Sequence, residues 1–389
     1  MRMPVPMANV PLPAPGAGAK YWLQKLHELG VSRPLRIMNV CGGHERAISL
    51  AGLRSAIPDN IELVPGPGCP VCICPEEDVY EAIQLALNEN VILLAFGDML
   101  RVPVNVPKRE PRSLEQARAA GGDIRPIATP MEAVRTAREN PGRRVVFFAA
   151  GFETTTAPVA AMLAEGVPDN LLILLSGRLT WPAVAMLLDS ETPGFDALIA
   201  PGHVATVMGS REWEFVSAKH GIPAAVAGFR PDTLLAAMYS VVRQLKEGKR
   251  FLDNCYREVV RPGGNPVAKR QIASAMQVGD ANWRGIGIIP DSGFTLRANF
   301  AAHDARREFA SYADDSRKRV GEMPPGCDCA RVVLGKIYPN QCRLYGLACK
   351  PRKPIGPCMV SDEGACRIWW SSGYRENKWE GRKKGRSVA

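Results

Sequence analysis

No stretch of this sequence stays apolar for the length that a membrane span requires. The first twenty residues, Met1 to Lys20, are rich in Pro, Ala and Gly and lack the continuous apolar segment of a secretory signal. Both absences lead us to expect a cytoplasmic protein, where thiols stay reduced. The cysteines near the C-terminus contain no pair of close C-x-x-C knuckles, the usual framework of a zinc ribbon. Composition excludes little else, since 23% charged and 46% hydrophobic residues are ordinary for a globular chain. The 389 residues suffice for two or three domains and a large core.

The net charge is +10, from 49 basic and 39 acidic residues. Part of the excess is local: from Arg375 onward there are six basic residues against two acidic ones. Such a tail reads as a solvated end, so neither nucleic acid nor a membrane is expected as a partner. Eleven cysteines are many for this length. In a reducing compartment, clustered cysteines indicate metal ligands or redox groups rather than structural staples.

Along the chain, short apolar runs alternate with helical patterns. Strands are expected at Leu35 to Val40, Ile61 to Val64, Val91 to Phe96, Val145 to Ala150, Leu171 to Leu175, Ala197 to Ala200 and Pro223 to Ala227. Helices are expected between them, with one before the first strand over Tyr21 to Leu29 and a long one over Thr233 to Glu247. This alternation means α/β architecture with parallel sheets. The reading is a loosely docked N-terminus at 1–20, a first α/β domain at 21–140 and a second at 141–248, with no clear sequence repeat between them. A smaller cysteine-rich domain follows at 249–370, and the basic tail covers 371–389.

In open parallel sheets, the loops leaving the carboxyl ends of strands build the site. Cys41, His44, Cys69, Cys72, Asp98, Glu153 and His203 all lie on such loops. In Gly66-Pro67-Gly68-Cys69-Pro70-Val71-Cys72, the C-x-x-C sits in a turn stiffened by Pro and made permissive by Gly. Such a pair can cycle between dithiol and disulfide or bind a soft metal. Cys74 extends the run as a bystander. Cys41-Gly42-Gly43-His44 puts a thiolate and an imidazole on one loop, either as two metal ligands or as an activated nucleophile. Asp98, Glu153 and His203 are single polar residues at strand ends, equally compatible with turn or helix-start roles.

The C-terminal group comprises Cys327, Cys329, Cys342, Cys349, Cys358 and Cys366. Four thiolates can hold zinc or an iron–sulfur cluster. The wide, uneven spacing favours a [4Fe–4S] cluster over zinc.

These motifs, with Gly151-Phe152-Glu153-Thr154-Thr155, Pro201-Gly202-His203-Val204 and the run Met359 to Cys366, resemble the HypD family over about 20–370. That family is a scaffold in [NiFe]-hydrogenase maturation. The resemblance implies two Rossmann-like parallel-sheet domains plus a smaller domain holding a [4Fe–4S] cluster. It implies assembly of the Fe(CN)2CO unit, with iron held together with a HypC-type small chaperone. Cyanide would come from a HypE-type protein, and the scaffold would be monomeric apart from these partners. Cys41 would hold or process the iron and its ligands, and Cys69 and Cys72 would be the thiol–disulfide pair, fed with electrons from the cluster. The cluster ligands would be Cys342, Cys349 and Cys366 with Cys327 or Cys329, leaving Cys358 an extra cysteine. Two positions depart from the family pattern, Arg230 and Gly263, each standing where an acid is expected. A different class of function is a stand-alone iron–sulfur-dependent thiol–disulfide oxidoreductase.

Overall fold

The computed structural model describes residues 18–191, 193–312 and 323–378. The expected loose N-terminus therefore falls outside the described residues up to residue 17, and the basic tail does so from residue 379. Among the described residues, all seven strands read from the sequence are present, and four more join them. The eleven are β1 (Leu35–Asn39), β2 (Ile61–Pro65), β3 (Val91–Phe96), β4 (Ile124–Ile127), β5 (Arg144–Gly151), β6 (Leu171–Arg178), β7 (Ala197–Pro201), β8 (Ala224–Ala227), β9 (Leu252–Asn254), β10 (Met276–Trp283) and β11 (Gly287–Leu296).

The strands form two sheets. One runs β2-β1-β7-β8-β9 and is wholly parallel. The other runs β10-β11-β6-β5-β3-β4. Its β4-β3-β5-β6 part is parallel, while β11 pairs antiparallel with both β6 and β10. The mixed α/β class with parallel sheets thus holds, with an antiparallel hairpin at one edge.

The domain boundaries differ from the expected consecutive blocks. The first compact unit takes residues up to Gly68, then Val184–Asn265 and Val332–Tyr338. The second takes Cys69–Ala183, Pro266–Arg331 and the segment from Pro339 on. The 21–140 and 141–248 blocks are therefore interleaved, and most of 249–370 belongs to the second unit rather than to a separate domain. The reason is physical: strand–helix alternation reports parallel pairing but not which strands pair. The hairpin β10–β11 escaped notice because its Gly, Asp and Pro residues break the apolar pattern.

In the first unit, helix Gly18–Glu28 packs on helix Pro231–Lys246, with the Trp22 and Tyr239 ring centroids 5.4 Å apart. Trp22, Leu26, Ile37, Ile48, Ile199, Leu235 and Met238 are buried together in its core. In the second unit, β3, β5 and β6 are buried almost throughout, as expected for central strands covered on both faces. There Arg306 reaches Asp78 at 2.8 Å, Glu81 at 3.0 Å and the Leu175 carbonyl at 2.6 Å. It thereby ties helix Glu76–Asn88 to β6.

Candidate functional site: an imidazole–thiol edge and a buried cysteine cluster

In the first unit, Cys41, His44, His203 and Phe229 all leave the carboxyl edge of the sheet. Cys41 is half-buried at the start of helix Gly42–Leu50, directly after β1. Gly68 lies against it: a Cβ on Gly68 would come within 2.4 Å of the Cys41 Cα. The Gly42 N–H donates to the Gly68 carbonyl at 3.0 Å. Only glycine at position 68 permits this approach. Cys69 is the next residue in the chain.

His44 is fully buried. Its Nε2 lies 3.0 Å from the Ala227 carbonyl. A carbonyl only accepts, so Nε2 carries the proton and Nδ1 is the basic nitrogen. Nδ1 is buried and makes no hydrogen bond. Burial lowers the His44 pKa to about 4, keeping the ring neutral at physiological pH. Phe229 lies between the two imidazoles, 4.9 Å from His44 and stacked at 3.7 Å on His203. Burial also lowers the His203 pKa. Phe229 was not singled out in the sequence, yet it organises both histidines. Arg230, next to it, donates from Nε to Asp232 at 3.0 Å on the exposed start of its helix.

The second unit holds the sulfur chemistry. Cys69 and Cys72 form a disulfide and are both buried. Cys69 begins the short helix Pro70–Ile73, and its Sγ accepts the Cys72 N–H at 3.2 Å. Cys74 is buried 3.5 Å from the Ser176 hydroxyl, and desolvation raises its thiol pKa to about 12, in line with an inert structural thiol.

Asp98 follows β3 and accepts from the Ser361 hydroxyl at 3.0 Å. Burial raises its pKa. Glu363, two residues beyond Ser361, is raised to about 7 by burial and by the Asp98 charge. The sequence reading quoted Glu363 inside a motif without giving it a role. Glu153 follows β5 and is fully buried. One carboxylate oxygen accepts the Thr180 N–H and the other the Thr180 hydroxyl, both at 2.7 Å. The carboxylate thus anchors the start of helix Thr180–Leu188.

The Sγ atoms of Cys329, Cys358 and Cys366 lie within 4.8 Å of one another, all buried. Cys327 Sγ is 3.2 Å from Cys329 Sγ. Cys349 Sγ accepts the Ile355 N–H at 3.4 Å, and Cys358 Sγ accepts the Cys366 N–H at 3.3 Å. Hydrogen bonds from Cys329 and Cys366 hold the Cys358 thiol below its usual range. Burial pushes Cys342 up to about 11 and Cys349 up to about 12. Gly356 closes the cradle, since a Cβ there would lie 2.4 Å from Cys327 Sγ and 2.5 Å from Cys329 Sγ. A soft metal or cluster fits this donor set, with converging buried sulfurs and backbone N–H groups aimed at two of them. Cys358, an extra cysteine by the family resemblance, is one of the three converging sulfurs.

An α/β chain with a buried disulfide, a thiol and a neutral imidazole at one helix start and a converging cysteine cluster carries donor groups that suit a soft metal. Comparison with known proteins gives this class a family. The model of the HypD family, described as "Hydrogenase formation hypA family", matches residues 18–373. The chain is 40% identical over 345 residues to the hydrogenase maturation factor HypD of Rhodobacter capsulatus, covering 88% of this chain and 90% of that protein. It is 39% identical over 356 residues to the HypD of Escherichia coli, covering 90% and 91%. To the HypD2 of Bradyrhizobium diazoefficiens it is 38% identical over 357 residues, covering 89% and 92%. The chain belongs to the HypD family of hydrogenase maturation factors. Its role lies in hydrogenase maturation, which implies partners in that process. Among the described residues, no helix is long and apolar enough to cross a membrane.

Proposed function

We propose that this chain is the cytoplasmic scaffold on which the Fe(CN)2CO unit of a [NiFe] hydrogenase is assembled. Iron is the cargo, held with a HypC-type small chaperone, and cyanide is accepted from a HypE-type protein. The observation that carries the redox side of this reading is that the Cys69–Cys72 disulfide and the buried Cys329–Cys358–Cys366 trio belong to one compact unit.

Cys41 offers the soft thiolate that low-spin iron prefers, and neutral His44 places a basic Nδ1 on the same helix start. His203, stacked on Phe229, fixes that ring against His44. Cys69 and Cys72 take up two electrons and two protons as the S–S bond breaks and return them on re-forming it. Four of the cluster thiols, Cys342, Cys349 and Cys366 with Cys327 or Cys329, would hold a resident [4Fe–4S] group, which would supply electrons one at a time when bound. Glu363, raised to about 7 by burial and the Asp98 charge, can hold a proton near neutral pH. Glu153 acts by holding helix Thr180–Leu188 in place.

The test is iron stoichiometry under anaerobic conditions with the small chaperone bound. The wild type carries iron beyond the cluster's own about four atoms. Cys41→Ala loses that extra iron and keeps the cluster chromophore. A Cys41→Ala protein that retains the extra iron and still supports hydrogenase maturation overturns the assignment. It favours a stand-alone thiol–disulfide oxidoreductase, the reading that the disulfide alone supports.

A further inference from the structure

Arg284 is 2% exposed, in the turn between β10 and β11. A guanidinium is costly to bury, and its N–H groups are normally all paired. Here one nitrogen is satisfied twice: Nη2 donates to Glu76 Oε2 at 3.1 Å and to the Pro103 carbonyl at 2.6 Å. Nε and Nη1 are buried and make no hydrogen bond. The residue therefore keeps the N–H groups of two of its three guanidinium nitrogens in reserve.

Its position explains what for. The Arg284 backbone N–H donates at 3.0 Å to the Ile73 carbonyl, in the short helix that carries Cys72. The next residue, Gly285, has φ +73°, and a Cβ there would lie 2.9 Å from the Cβ of Ala330, the neighbour of Cys329. Trp283, on the other side, is anchored by its indole N–H to the Ser292 hydroxyl at 2.8 Å. Three successive residues thus run from the disulfide helix to the cysteine-cluster loop. The Arg284 charge also favours the thiolate form of Cys74, two residues beyond Cys72.

We infer that Arg284 is a positioning residue for thiol redox chemistry. Its reserved N–H groups and its charge stabilise the negative charge that appears when the Cys69–Cys72 disulfide is reduced, and its backbone ties the Cys72 helix to the cluster loop. When two electrons enter the Cys69–Cys72 bond, that bond breaks into two thiolates, which exchange protons with water, and the fraction that stays ionised is what the cation stabilises. In the test the electrons come from an external dithiol, which is oxidised to its own disulfide. A buried cation tied through its backbone to the Cys72 helix shifts the equilibrium towards the dithiol. The inference rests on the redox role proposed for Cys69 and Cys72, and it requires no iron site.

The experiment is an anaerobic equilibration of the full chain against mixtures of reduced and oxidised dithiothreitol. Trapping by alkylation and mass spectrometry of the Cys69–Cys72 peptide reads the dithiol fraction. Arg284→Met is expected to shift the equilibrium about tenfold towards the disulfide, equal to about 30 mV for a two-electron couple. Arg284→Lys, which keeps the charge, recovers most of that shift. Glu76→Gln removes the carboxylate that offsets Arg284 and is expected to shift the equilibrium the opposite way, towards the dithiol. That opposite sign separates an electrostatic role from simple loss of packing, and it stands even if Arg284→Met does not fold. Equal ratios in wild type and Glu76→Gln, or a shift towards the disulfide in both Arg284→Met and Glu76→Gln, overturn the inference. Neither result touches the iron-assembly reading, which is decided by iron content.

Discussion

His44 illustrates how one side chain can be fixed in one protonation state by its surroundings. Its folded pKa is about 4, lowered by burial, against about 6.5 in an unfolded chain. Above pH 6.5 the ring is neutral in both states and burial carries no ionisation penalty. As pH falls from 6.5 towards 4, the unfolded chain gains a proton that the folded one refuses, so stability is lost across that window. The expected loss by pH 4.5 is about 3 kcal/mol. It is measured as the difference in denaturant-derived stability between pH 7.5 and 4.5, compared with His44→Asn. A pH slope identical in the two proteins contradicts the buried neutral ring. The same residue scale explains what escaped the sequence reading. A lone Arg284, a lone Phe229 and a Glu363 within a polar run carry no local signal, because their significance lies in what is buried around them. That Cys41, His44 and His203 follow the ends of apolar strands was legible, but that these strands share one sheet was not, since which strands pair carries no local signal.

At the scale of elements, the central strands were legible because they are continuous apolar runs. β4 was not, because Pro126 interrupts it, a residue tolerated there only because β4 is an edge strand. β9 has only three residues and offers no period to read. Glu153 shows an element-level role that looks catalytic in sequence. Its carboxylate takes both the N–H and the hydroxyl of Thr180 and so fixes the first turn of helix Thr180–Leu188. Glu153→Ala leaves the Thr180 N–H without this acceptor in a buried setting. The expected cost is about 2–3 kcal/mol, read by equilibrium unfolding. A near-neutral Glu153→Ala that nonetheless abolishes maturation activity points instead to a proton-transfer role.

At the scale of the whole molecule, the interleaving of the two units was invisible in the sequence, because a chain that leaves one sheet and returns to it looks locally like one that does not. Its consequence is that the chain first passes from one unit to the other at Gly68–Cys69, inside the Gly- and Pro-rich turn that carries Cys69 and Cys72. The cysteine cluster belongs to the second unit, with the six-stranded sheet. Removing iron by anaerobic chelation is therefore expected to lower the thermal midpoint of that unit by at least about 5 °C, and Cys366→Ser should do the same. Scanning calorimetry of holo and apo protein checks this, and an unchanged midpoint contradicts a resident cluster there.

The central claim, assembly of an Fe(CN)2CO unit on this scaffold, is tested most directly by infrared spectroscopy. The protein is purified anaerobically with its small chaperone from a host that matures [NiFe] hydrogenase. The account predicts stretching bands of iron-bound cyanide and carbon monoxide in the wild type and their disappearance in Cys41→Ala. Absence of those bands from the wild type, with the chaperone bound and the cluster intact, contradicts it.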